Sequence, residues 1–321
     1  MSRVHDALRR AEQLGIIPLP PPAGEIPPAE PRLRVTPRQQ AGPYAPADFA
    51  PIGFPAEMRG APLAEDEPST PQERALVALE DLPAVLSRVE EIPYVPATEA
   101  HLIRLDAPAE MPGEEFRSLR TRLNHLQSTQ KLRTVVVTSA SPAEGKTFTA
   151  LNLALAQAQL SEHPILMADL DLRRPSIHRL LQIERGLGFS DYIQGEAPLE
   201  QCLRRIEGTP LFVMTAGSSV NNPLELLGTG EAKATIEERF PKLFKWSIID
   251  SPPLLFSADA NLLATITDGT LIVVRVGSTT YDNIVRAMQT LCENNVLGIV
   301  VNGARASELY SKYTYYYSKS D

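Results

Sequence analysis

Six runs of consecutive apolar residues govern what this chain can fold into. They are "RTVVVTSA" (133–140), "HPILMADLD" (163–171), "PLFVMTA" (210–216), "FKWSIIDS" (244–251), "GTLIVVRV" (269–276) and "VLGIVVNGA" (296–304). Each is rich in Val, Ile and Leu without apolar–polar alternation, so both faces of the strand must be covered, as in a parallel sheet. Helical periods separate several of them, among them Lys146 through "TFTALNLALAQAQL" and "TTYDNIVRAMQTLCENN". The pattern predicts a doubly wound α/β domain with a mostly parallel sheet.

Proline sets the limits of that domain. Twenty of the 29 prolines fall between Pro18 and Pro112, and proline removes a backbone donor and fixes φ. The sequence therefore reads as four segments. Residues 1–15 form an amphipathic helix with Ser2 as cap. Residues 16–97 are a Pro-rich, mostly disordered linker, with a short helix at "TPQERALVALEDL" started by Thr70 and Pro71. Residues 98–305 are the domain and residues 306–321 a tail. In the first helix Val4, Ala7, Leu8, Ala11 and Leu14 share a face, and Arg3, Arg9 and Arg10 add charge. Docking to a protein or membrane surface and packing on the core are equally good readings of it.

Composition excludes several classes. The net charge of -8 gives no reason to expect a nucleic-acid partner. Cys202 and Cys292 supply neither metal-ligand spacing nor a disulfide framework, which fits a reducing cytoplasm. No apolar run is long enough to span a bilayer, and the N-terminus lacks a signal-peptide core.

The chemistry is concentrated where strands end. "ASPAEGKT" (Ala140, Ser141, Pro142, Ala143, Glu144, Gly145, Lys146, Thr147) lies between a strand and a helix, as a phosphate-binding loop does. Backbone N–H groups and a helix N-terminus there wrap an anion. Lys146 would reach the β- and γ-phosphates of ATP, and Thr147 would ligate Mg²⁺. Ala140 and Ala143 depart from glycine, and an alanine at positive φ is strained. "ILMADLDLRRP" ends the second run with Asp169 and Asp171, which face the same side if the strand stays extended. "FKWSIIDSPP" ends another with Asp250. A single Asp at a strand end is usually a cap or turn former. Three such acids beside a phosphate loop favour Mg²⁺ ligation and proton abstraction.

These elements together resemble the bacterial tyrosine kinases, or BY-kinases, of capsule and exopolysaccharide assembly. The resemblance covers roughly residues 98–321. "TSASPAEGKTFTALNLA", "ILMADLDLRRP" and "WSIIDSPPLL" are similar to their Walker A, A′ and B elements. "NPLELL" (222–227) and the tail "YSKYTYYYSKSD" also match. The resemblance implies a P-loop NTPase fold of the MinD and ParA kind, with ATP and Mg²⁺ as cofactors. It implies Asp169 as the base and Thr147, Asp171 and Asp250 as Mg²⁺ ligands. Tyr310, Tyr313, Tyr315, Tyr316 and Tyr317 are then the phosphoacceptors. It further implies a ring, an octamer in the family, contacted through Glu114, Arg117 and Arg120 of "EEFRSLR". The partners implied are a separate transmembrane adaptor at the inner membrane face and a tyrosine phosphatase.

The tail can reach. Twelve extended residues span about 40 Å, enough to enter a neighbouring subunit. Two other readings compete with the kinase. One is a partition or septum-site ATPase, although those carry an early loop lysine where this chain has Ser141. The other is a nucleotide-dependent scaffold that phosphorylates nothing.

Overall fold

The computed structural model describes residues 82–105, 113–291 and 296–304. Eight strands form one sheet: β1 (Glu91–Ile92), β2 (Thr134–Ser139), β3 (Ile165–Asp169), β4 (Leu203–Ile206), β5 (Leu211–Met214), β6 (Trp246–Asp250), β7 (Gly269–Arg275) and β8 (Val296–Asn302). Their order across the sheet is β1-β4-β5-β3-β6-β2-β7-β8. Only β4 and β5 pair antiparallel; every other neighbouring pair is parallel. All six apolar runs are strands of this sheet.

Side chains along each central strand enter two separate cores. Val136 of β2 faces one, with Leu166, Phe212, Ile249 and Ile272. Val135 and Val137 face the other, with Met167, Val213, Ile248 and Val273. Each fully buried Val, Leu or Ile contributes roughly 1.5–3 kcal/mol. β2, β3, β5 and β6 are accordingly buried along their whole length, whereas β8, as apolar in sequence, leaves Ile299 and Val301 exposed, so the expectation that both faces are covered fails for it. On the second face lie α1 (Gly113–Thr129) and α2 (Lys146–Ala158). Phe116 of α1 and Phe148 of α2 meet edge to face, with ring centres 5.7 Å apart. On the first face lies α3 (Ala258–Ile266), through Ala260 and Leu263. The last long helix, α4 (Tyr281–Thr290), buries only Ala287.

Residues 82–97, which proline content alone assigns to a linker, belong to the fold. Leu82–Ser87 is helical, and β1 pairs with β4 through Glu91↔Arg205 and Ile92↔Ile206. The Tyr94 hydroxyl donates to Ile103 O at 2.7 Å, and the Ala97 N–H donates to Leu180 O at 2.9 Å. Pro93 and Pro96 lie just past β1, where no ladder donor is required. The boundary expected at residue 98 therefore comes too late. The 1–15 helix, the helix at Thr70 and Pro71 and the tail 306–321 lie outside the described residues.

The strand order positions the site. β3, β6 and β2 are adjacent, and Asp169 is the register partner of Asp250. The loop after β2 and the acids ending β3 and β6 thus meet at one edge, where parallel sheets bind ligands.

Candidate active site

The loop runs from Ala140 to Thr147, and α2 begins at Lys146. Two of its residues take positive φ, Ala143 at 63° and Gly145 at 99°. Ala140 does not, so of the two departures from glycine only Ala143 carries strain. Glu144 is buried and shapes the loop from inside. Its carboxylate accepts from the Ser141 N–H at 3.0 Å and from the Thr279 hydroxyl at 2.6 Å.

Lys146 is held by the strand-end acids. Its Nζ donates to Asp171 Oδ2 at 2.8 Å and lies 3.5 Å from Asp250 Oδ1. Burial pushes this ammonium down, but Asp250 and Asp171 outweigh it and hold it above the ordinary lysine value. The Thr147 hydroxyl donates to Asp250 Oδ2 at 2.7 Å. Lys146, Thr147, Asp171 and Asp250 are thus brought together as the sequence predicts.

Asp169 combines two roles. One oxygen, Oδ2, accepts from the Ser176 and Ile177 N–H groups at 2.9 and 3.0 Å and so holds the helical turn at Ile177–Leu180. The other, Oδ1, is buried without a hydrogen-bond partner. Burial first, then the Asp250 charge, pushes Asp169 up to about 7 against the pull of those two N–H groups. Burial likewise raises Asp250 to about 6, although Lys146 and Thr147 oppose it. β3 stops at Asp169. Asp171 therefore reaches the site from the following turn, where it accepts from the Arg174 N–H at 3.1 Å, and not from an extended strand.

Three carboxylates and one ammonium leave a formal charge of about -2, which suits a divalent cation. Asp169 Oδ1 is a buried acceptor without a donor, and Asp250 Oδ1 makes no hydrogen bond, with only the Lys146 ammonium 3.5 Å away. Among the described residues no three His, Cys, Asp or Glu side chains hold a metal by themselves. The site instead fits an ion that completes its shell with Thr147, water and substrate phosphates, the habit of Mg²⁺.

Arg120 corrects the expected interface face. Glu114 and Arg117 pair with each other at 2.6 Å, and Glu114 is well exposed. Arg120 instead turns inward and is buried, and its Nη1 donates to Ala156 O of α2 at 2.7 Å. Spacing of three puts consecutive members about 60° apart in opposite sense to the turn, so a third member drifts toward the core. Tyr310, Tyr313, Tyr315, Tyr316 and Tyr317 lie outside the described residues.

Sequence reading missed the braces from the far strands. Arg275 Nη1 donates to Ala143 O at 3.1 Å, and Asn302 Nδ2 donates to Glu144 O at 3.0 Å. Arg173, in the turn after Asp171, makes a two-pronged pair with buried Asp259 of α3 at 2.6 and 3.0 Å. Arg275, Thr279 and Asn302 all sit at or just past the ends of β7 and β8. Position at the ligand edge was their one available signal.

A phosphate loop between strand and helix, flanked by aspartates from two adjacent parallel strands, defines a P-loop nucleotide-binding protein. No protein-family model matches the chain. It is 31% identical to tyrosine-protein kinase YwqD of Bacillus subtilis over 225 residues, 70% of this chain and 94% of that protein. It is 32% identical to tyrosine-protein kinase etk of Escherichia coli over 235 residues, 70% of this chain but 30% of that protein. The kinase domain of the Escherichia coli enzyme superposes with a TM-score of 0.59 at 31% identity, covering 63% of this chain and 80% of that domain. The BceF tyrosine kinase domain gives 0.54 at 25% identity, covering 74% and 91%. The chain belongs to the bacterial tyrosine-protein kinases.

Proposed function

We propose that the chain is an ATP- and Mg²⁺-dependent autokinase that phosphorylates the tyrosines of its own C-terminus, between copies in a ring. The observation that carries this reading is Lys146, held by Asp171 and Asp250 beside the Thr147 hydroxyl. An incoming γ-phosphate competes for Lys146 and frees both acids. Thr147, Asp171 and Asp250 would then hold Mg²⁺, which neutralises phosphate charge. The tyrosine oxygen attacks the γ-phosphorus, the bond to the β–γ bridging oxygen breaks, and ADP leaves. Asp169 Oδ1, buried and unbonded, takes the phenol proton. Tyrosine ordinarily titrates near 10, so a base of raised affinity is better matched to it than an ordinary carboxylate.

The acceptors are Tyr310, Tyr313, Tyr315, Tyr316 and Tyr317. Each phosphate adds about -1.5 to -2 charge, so accumulation on one tail would repel it from the acidic site and loosen the ring. Glu114, exposed, and Arg117, partly buried, are the accessible part of the proposed interface. No helix among the described residues is long and apolar enough to cross a membrane. On this reading a transmembrane adaptor recruits the kinase to the inner membrane face, in the service of capsule or exopolysaccharide export. One relative, from Klebsiella pneumoniae, is described as a putative tyrosine-protein kinase in the cps region. A tyrosine phosphatase would reset the tail.

The test is incubation of purified protein with ATP and Mg²⁺, with and without the adaptor's cytoplasmic segment, followed by a phosphotyrosine blot. Signal should vanish in Lys146→Met and when all five tail tyrosines become Phe. Full signal in Lys146→Met would overturn the proposal. ATP hydrolysis without phosphotyrosine would favour the partition-type ATPase.

A further inference from the structure

A cavity of about 630 Å³ opens at the sheet edge opposite the phosphate loop. Its walls are the end of α1, the entries to β2, β3 and β6, and the short helix Phe240–Leu243 with the two residues after it. β2 runs six residues between the two edges, so the cavity lies about 20 Å from the nucleotide site.

Its charge is one-sided. Lys131, Arg133, Lys242 and Lys245 line it together with His163, and no Asp or Glu does, in a chain whose net charge is -8. Lys131, Arg133 and Lys245 have no carboxylate within ion-pairing distance among the described residues. Lys242 has only exposed Glu238, at 3.9 Å. Asp268, near the same edge, has Oδ2 taken up by the Arg133 and Thr134 N–H groups and the Thr134 hydroxyl. Cations confined to one concavity repel each other, and a soluble fold would normally disperse them.

The walls are also fixed. The Gln127 amide donates to Leu132 O at 2.6 Å and to Lys245 O at 3.2 Å. The Lys245 N–H donates to Pro164 O at 2.9 Å, and the Ser247 N–H donates to Arg133 O at 2.8 Å. Leu132 and Phe244 among the lining residues are buried. The backbone at two of the four cations, Arg133 and Lys245, and at Leu132 beside Lys131 is thus tied down before any ligand arrives.

We propose that this cavity is a second anion site, for a ligand bearing at least two phosphate groups. One phosphate carries about -1.5 to -2 charge, so four permanent cations call for two or more. The volume is within the range of small-molecule sites. A diphosphate lipid headgroup and a soluble polyphosphorylated molecule share this chemistry.

The test uses the full chain and the variant Lys131→Gln/Arg133→Gln/Lys245→Gln. ATP affinity and melting temperature serve as controls for the fold and the nucleotide site. Calorimetric titration with inorganic tripolyphosphate is read as the difference between the two proteins, so binding at the phosphate loop cancels. The triple variant should lose at least about tenfold in tripolyphosphate affinity with ATP affinity unchanged, while a Lys233→Gln control should lose nothing. Sedimentation with vesicles of equal parts phosphatidylcholine and cardiolipin is the second arm. Vesicle binding lost in the triple variant assigns the lipid headgroup as source, and tripolyphosphate loss without vesicle binding assigns a soluble ligand. If the triple variant binds both probes as wild type does, or wild type shows no component beyond the phosphate loop, the proposal fails.

Discussion

The Asn302 side chain, at the end of β8, donates to Glu144 O in the phosphate loop across 3.0 Å. This contact leaves no room beside the next residue. A Cβ on Gly145 would lie 2.0 Å from Asn302 Nδ2, and Gly145 has φ of 99°. Gly145→Ala should therefore lower ATP affinity by about tenfold or more. Gly145→Ala/Asn302→Ala removes the clash but keeps the backbone strain, so titration with a fluorescent ATP analogue should show partial recovery only.

Ala143 is the opposite case, a side chain where glycine is the easier residue. It holds φ at 63°, which costs an L-residue roughly 1–2 kcal/mol, while glycine adds about 0.5–1 kcal/mol of unfolded-state entropy. Ala143→Gly should stabilise the nucleotide-free protein by a net ~0.5 kcal/mol. Thermal melting should show a rise of one or two degrees, and ATP affinity should not fall.

Asp169 gives a pH dependence with a definite sign. Its folded value is raised to about 7, chiefly by burial, against about 3.9 in an unfolded chain. The stability linked to its protonated form is fully present below the unfolded value and is lost as pH rises through 7. Asp169→Asn keeps an acceptor for Ser176 and Ile177 without the charge. Without nucleotide and metal it should melt several degrees above wild type at pH 8, by a margin on the order of 2 kcal/mol, and close to wild type at pH 4.5.

Arg173 and Asp259 clamp the turn after Asp171 to α3. The carboxylate is buried, whereas the guanidinium is about half exposed, so solvent screens the pair. Arg173→Ala leaves a buried charge unpaired and should cost about 1–2 kcal/mol in a urea melt. Asp259→Asn should cost less, under about 1 kcal/mol, because a hydrogen bond survives. Equal losses in the two variants would refute a charge-based clamp.

Legibility in the sequence followed the length of the apolar run more than burial, since β8 was legible although Ile299 and Val301 are exposed. β2, β3, β5, β6, β7 and β8 are long apolar runs and could be read directly. β1 is two residues, and β4 is "LRRI" with two arginines half-exposed at its centre, so neither carries a periodic signal. The site residues Lys146, Thr147, Asp171 and Asp250 were legible because spacing along one strand–loop–helix unit fixes them. Arg120 was misplaced outward because charge spacing does not reveal that a carbonyl of α2 awaits it. Arg275, Thr279 and Asn302 were missed for a related reason. Each contacts a loop more than 130 positions earlier in the chain, and no local pattern encodes that distance.

The same separation has a consequence for synthesis. At about 5–20 residues per second, the ribosome needs roughly 8–30 s after Glu144 emerges before Asn302 does, 158 residues later. During that interval the nascent chain carries Lys146 and the apolar strand before it, but not the strand ends that hold the loop in shape. A product cut short before Arg275 has the full motif and no brace for it. Nucleotide binding by the loop should therefore wait for Asn302 to emerge, and fragments released before Arg275 should not compete for nucleotide.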